Sequence, residues 1–135
     1  RSTHRNLDGA ITALDLIPPT SRAFVEARQR RAGLLASSGR GLPGLADALD
    51  SIETVTIDPV DRAKLRAEVL GAALREVGRT GPQPQLRIGG LPAAEPELRD
   101  GLEAAYRQLA VLAASRGERV RLVDAANGIR RWTLR

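Results

Sequence analysis

Gly39-Arg40-Gly41-Leu42-Pro43-Gly44 satisfies G-x-G-x-x-G, the spacing that in a dinucleotide fold carries a tight backbone turn onto a pyrophosphate. That chemistry needs a strand before the glycines and a helix N-terminus after them. Here a helical pattern comes first and a proline interrupts the motif, so it reads as an interhelical turn. His4 is the only histidine and cysteine is absent, which leaves no metal set and no nucleophile–base pair to assemble. Asp15, Asp50 and Asp124 lie on amphipathic stretches where surface or capping roles account for them, and no two form an evident hydrolytic pair. No catalytic residue, metal or cofactor is therefore expected in this chain. Three arginines form a more specific pattern: Arg22 and Arg62 hold equivalent positions of an internal repeat, and Arg66 lies one turn beyond Arg62. On the inner side of a helical stack they would offer cations to an acidic peptide or carboxylate. A solvated helix face is the competing reading.

The charge balance bounds the partners. The 21 basic residues include one lysine, Lys64, and the net charge is +5. So one-sided a choice of arginine, beside abundant Ala, Gly and Leu, points to the codon usage of a GC-rich genome more than to a phosphate-binding surface. Readers of exposed bases stack them on aromatic rings, and only Phe24, Tyr106 and Trp132 are available. Nucleic acid is not an expected partner. No stretch approaches the ~20 apolar residues of a membrane span, and nothing resembles a signal peptide. A soluble, cytoplasmic chain is expected, without membrane contact. Because Arg1 comes first and methionine is missing throughout, the chain is expected to be a segment of a longer protein.

The elements that must position these residues read as helices. Leu7, Ala10, Ile11, Leu14 and Ile17 recur at steps of three and four, predicting a helix over about residues 5–16 that Pro18-Pro19 stops. Thr20 or Ser21 is placed to cap a second helix running to about Ala36. A third spans roughly 43–54. Asp58-Pro59 opens a fourth, with Asp58 as cap and Pro59 at the first helical position, reaching about Val77. Its two adjoining stripes, Leu65-Val69-Ala72 and Leu70-Ala73-Leu74-Val77, call for neighbours on two sides. Residues 79–94 hold three prolines and three glycines and read as an irregular loop. A fifth helix opens at Glu95-Pro96-Glu97, and a sixth begins near Ser115-x-x-Glu118 and is expected to stop at Asn127-Gly128.

The repeat organises these helices. Ala13-Leu14-Asp15-x-Ile17 returns as Ala48-Leu49-Asp50-x-Ile52, 35 positions later, while Ser21-Arg22-Ala23 matches Asp61-Arg62-Ala63 at a spacing of 40. The second unit therefore carries about five extra residues near Thr54 to Ile57. A period in the thirties with helical content predicts an all-α solenoid of the tetratricopeptide kind, an α-α superhelix of about three hairpins in one domain over residues 1–135. No single unit of such a stack can bury its own apolar face.

Particular residues carry a resemblance beyond the pattern. Leu16-Ile17-Pro18-Pro19-Thr20-Ser21-Arg22-x-Phe24 with Ala27-Arg28, Leu70-Gly71-x-Ala73-Leu74, Gly101-Leu102-Glu103-Ala104, and Leu122-Val123-Asp124-x-Ala126-Asn127-x-x-Arg130 occur in that order. They are similar to the C-terminal tetratricopeptide domain of the actinobacterial serine/threonine protein kinase G family. The resemblance implies a longer kinase that uses ATP and magnesium and carries a rubredoxin-like metal module, none of whose motifs stand in this sequence. It also implies partners: the kinase domain of the same protein, a second copy, and a forkhead-associated-domain regulator. The loop over 79–94 and the tail Arg131-Trp132-Thr133-Leu134-Arg135 depart from the family's pattern.

Overall fold

Capping chemistry sets most of the helix boundaries. A computed structural model of the chain describes residues 2–133, and the side chains of 6–130. Its elements are α1 (Ser2–Asp15), α2 (Phe24–Ala36), α3 (Gly41–Glu53), α4 (Pro59–Thr80), β1 (Gln83–Ile88), β2 (Leu91–Ala93), α5 (Glu95–Leu112) and α6 (Arg116–Thr133). The Asp58 carboxylate accepts the Val60 N–H at 2.8 Å, and Pro59 occupies the first turn where an N–H would have no partner. Ser115 Oγ accepts the Glu118 N–H at 3.1 Å and starts α6. Gly81, at φ 95, closes α4 by donating its N–H to the Val77 carbonyl at 2.8 Å.

The helices pair as α1–α2, α3–α4 and α5–α6, and α4 packs on α2, α3 and α5. Its two-stripe pattern thus has neighbours on more than one side, and Val69, Leu70 and Ala73 are fully buried. The main core runs from Ile11 and Leu35 through Leu42, Leu45 and Leu49 to Leu98, Leu102 and Leu109. Buried alanines at 46, 48, 63, 67, 73 and 105 let the axes approach closely. The extra residues of the second repeat close a smaller cluster, in which Val55 and Ile57 join Ala32 and Ile52. The chain is a mostly helical, tetratricopeptide-like stack of hairpins.

Three expectations need correction. Residues 83–93 form an antiparallel ribbon, not an irregular loop, with Ile88 opposite Leu91 and Arg87 opposite Pro92. Gly89 and Gly90, at φ 60 and 83, make the two-residue turn that such ribbons favour. Prolines are tolerated because both strands are edges. Ile88 and Ala93 are fully buried, since β1 lies against α3, β2 against α5, and both touch α4. The second correction concerns α2, which begins at Phe24 with Ala23 at its N-cap. Ser21 Oγ accepts the Ala23 N–H at 3.0 Å and so closes the turn before the helix. Thirdly, α6 continues past Asn127-Gly128 to Thr133. The Asn127 side chain is used elsewhere, its Oδ1 accepting from Arg107 Nη2 at 2.9 Å across the α5–α6 seam.

Candidate functional site

Arg62 and Arg66 stand one turn apart on α4 and form the wall between two surface clefts. One cleft, of about 230 Å³, runs from Leu49 and Glu53 to Gly89. The other, of about 320 Å³, runs from Pro59 to Ala104 and Gln108 of α5. Arg62 Nη2 donates to the carbonyls of Ile52 at 3.1 Å and Val55 at 2.6 Å, tying α4 to the last turn of α3 and the loop just beyond it. Arg66 Nη1 donates to the Gly89 carbonyl at 3.3 Å and pins the ribbon's turn. Burial lowers the pKa of the Arg66 guanidinium from its ordinary value. Asp50 and Glu53 share the first cleft, so its charge is mixed. Arg22 is exposed on the turn before α2 and lines neither cleft. The fold thus brings Arg62 and Arg66 together and leaves Arg22 outside.

Close approach at the ribbon explains two glycines. A Cβ at Gly89 would fall 2.7 Å from Leu49 Cδ1 and 2.5 Å from Arg66 Nη1. At Gly101 it would collide with Leu91 Cδ1 and come within 3.1 Å of Leu70 Cδ1. The ribbon sits flush on α3 and α5 only because these side chains are missing.

A third polar assembly was not singled out by spacing. Arg31 ties its own helix α2 to two others: its Nε donates to Asp15 Oδ1 of α1 at 2.8 Å, and its Nη1 to Asp47 Oδ1 at 2.8 Å and Ser51 Oγ at 2.7 Å of α3. Arg28 adds a bond to the Ser51 carbonyl at 2.7 Å and lies over the Phe24 ring. The hydrogen bond to Asp47, joined by the charges of Asp47 and Asp15, raises the Arg31 pKa above its ordinary value against the opposing effect of burial. The one signal in the sequence was Ser51, a polar residue inside an apolar helix and fully buried here. Satisfied groups of this kind hold helices in register and leave no free base or nucleophile.

The remaining candidates resolve individually. Gly39-Arg40-Gly41 is a turn from α2 into α3, with Gly39 at φ 71 and Gly41 at φ 78. No strand precedes it. Asp15 is paired with Arg31, while Asp50 and Asp124 are exposed. The His4 side chain lies outside the described residues. Among the described residues no group of His, Asp and Glu is placed to hold a metal ion, and no helix is long and apolar enough to cross a membrane.

The family model described as the protein kinase G tetratricopeptide repeat matches residues 1–133. This chain belongs to that family. Serine/threonine-protein kinase PknG of Mycolicibacterium smegmatis is 36% identical over 128 residues, a match covering 91% of this chain and 17% of that protein. Serine/threonine-protein kinase PknG of Mycobacterium leprae is 35% identical over 135 residues, covering 96% of this chain and 17% of the relative. The chain therefore spans about one sixth of the length of the curated relatives it matches. A tetratricopeptide repeat is a helix–turn–helix unit of about 34 residues, the form that the hairpins α1–α2, α3–α4 and α5–α6 take.

Proposed function

We propose that this chain is the non-catalytic assembly module of a serine/threonine protein kinase of the protein kinase G type. It supports its own kinase domain, joins a second copy, and recruits protein partners, a forkhead-associated-domain regulator among them, in the cytoplasm. The observation that carries this reading is the family match over residues 1–133 together with relatives named as kinases and about six times as long. Phosphoryl transfer, with its ATP and magnesium, and the rubredoxin-like metal belong on this reading to other parts of the longer protein. A rubredoxin-like site is built from thiolates and the chain has no cysteine, and among the described residues no group of His, Asp and Glu is placed to hold a metal ion.

Deleting this module from the longer kinase tests the proposal. Phosphorylation of a forkhead-associated-domain substrate is expected to fall more than phosphorylation of a short generic peptide, and light scattering is expected to show loss of the second copy. Unchanged selectivity together with unchanged mass would sink it. A second reading, a free-standing adaptor for acidic peptides, draws on the net charge of +5 and the paired cations Arg62 and Arg66. Reading the coding sequence upstream of Arg1 separates the two.

A further inference from the structure

We propose that the cleft between the α2–α3 turn and the C-terminal half of α4 is a seat for an acidic peptide segment in which a carboxylate neighbours an aliphatic side chain. The inference rests on the recruiting role proposed above and gives that role a location. The cleft encloses about 310 Å³ and has two chemically distinct parts. Its floor is apolar, formed by Leu35, Ala36, Leu45 and Ala72. Its rim carries three guanidiniums, Arg40, Arg75 and Arg79, against the single carboxylate of Glu76.

The three cations are differently engaged. Arg40 pairs with Asp8 of α1. Arg79 grips both oxygens of Glu76 at 2.9 and 2.8 Å. Arg75 is exposed and makes no hydrogen bond or ion pair among the described residues. It is the member of the rim that is ready for an external anion. Helix α3 begins at the same place with no side-chain cap and no acid in its first turn, so its positive end adds to the field. Glu76 lies close by, its Oε2 3.8 Å from where a Cβ on Gly41 would stand. That carboxylate is a built-in competitor, occupying ground that an incoming carboxylate would share.

The occupant follows from the two parts. Cations at the rim call for an anion, and an anion alone would leave the apolar floor wet. A nucleotide base would look for a stacking ring, and none lines the cleft. An aliphatic residue beside Asp or Glu satisfies both parts at once, with guanidinium–carboxylate bonds setting its orientation.

Fluorescence anisotropy of the full 135-residue chain with a fluorescein-labelled peptide Ser-Leu-Glu-Leu-Glu-Ser tests the seat. Its neutral twin, with Gln for each Glu, is run beside it. The acidic peptide is expected to bind about tenfold more tightly than the twin, and Arg75→Gln to weaken it by about tenfold, the value of one or two charge-assisted bonds. Glu76→Gln, which removes the competitor, is expected to tighten it a few-fold, and Arg119→Gln, an exposed arginine of α6 outside the cleft, to leave it unchanged. Equal losses from Arg119→Gln and Arg75→Gln would reduce the effect to overall charge and overturn the proposal. So would weaker binding by Glu76→Gln, equal binding of the neutral twin, or no binding of either peptide. Those results would leave the deletion experiment on the longer kinase untouched, because it does not read this cleft.

Discussion

Helix α1 and the β-ribbon are both added onto the helical stack, and they are held by different physics. The ribbon is seated by shape: Ile88 and Ala93 are fully buried, two glycines permit contact, and Arg66 supplies one bond to the Gly89 carbonyl. Helix α1 is seated largely by charge. Asp8 pairs with Arg40, and Asp15 with Arg31 at 2.8 Å and Arg28 at 3.7 Å, while Ile11 is its one buried apolar side chain among those described. Packed contacts persist in salt and fail when a cavity opens, whereas half-exposed ion pairs respond in the opposite manner. These two attachments to one small stack should therefore come apart under different conditions.

The largest effect is expected where the ribbon, α4 and α5 converge. Leu70→Ala removes a fully buried side chain, and a loss of about 3–5 kcal/mol is expected from transfer plus cavity, read as a shift of the urea midpoint at constant slope. An unmoved midpoint would break the claim that this seam is the packed one. Gly89→Ala comes next. At φ 60, with Leu49 Cδ1 2.7 Å from the new Cβ, either the turn or Leu49 must shift, and about 2–3 kcal/mol is expected. Its effect should be insensitive to salt. Arg31→Ala, on the other side of the comparison, removes bonds to Asp15, Asp47 and Ser51 and is expected to cost about 1–3 kcal/mol. Unlike the first two, that cost should shrink as salt rises.

How much of this was legible in the sequence depends on whether the deciding group was local. Asp58-Pro59 announced the start of α4, and its two stripes announced neighbours on both sides, because caps and periodicity are written in adjacent residues. The ribbon is hard to see locally because its prolines and glycines are equally the mark of an irregular loop. Gly89-Gly90 between Ile88 and Leu91 is itself a two-residue hairpin signal, and an isolated ribbon tolerates proline on either strand. Asn127-Gly128 carried a stop signal that failed because Arg107, twenty residues away on α5, takes the Asn side chain. The pairing of Arg62 with Arg66 was visible from their four-residue spacing. Their engagement with the carbonyls of Val55 and Gly89 was not, since both acceptors lie on loops whose paths depend on the tertiary fold. The Arg31 assembly was equally hidden: its partners come from α1 and α3, and no local rule joins Asp15 to Asp47.

The smallest effect is the sharpest test of the comparison. Asp8 is 66% exposed and Arg40 is 30% exposed, so Asp8→Asn is expected to change global stability by only about 0–1 kcal/mol. Global unfolding is therefore the wrong readout. Local opening is the informative one, and amide hydrogen exchange resolves it segment by segment. Raising salt from about 0.1 M to about 1 M contracts the Debye length from ~10 Å to ~3 Å, which screens the half-exposed pairs of α1 and leaves apolar contacts intact. Amides of α1 around Ile11 should then exchange faster in high salt, and Asp8→Asn should reproduce part of that change at low salt. The amide of Ile88 should hold its protection in both cases, since neither screening nor the loss of Asp8 reaches the ribbon's seat. If α1 and the ribbon lost protection together, the stack would open as one unit, and the ionic attachment of its first helix would have no separate existence.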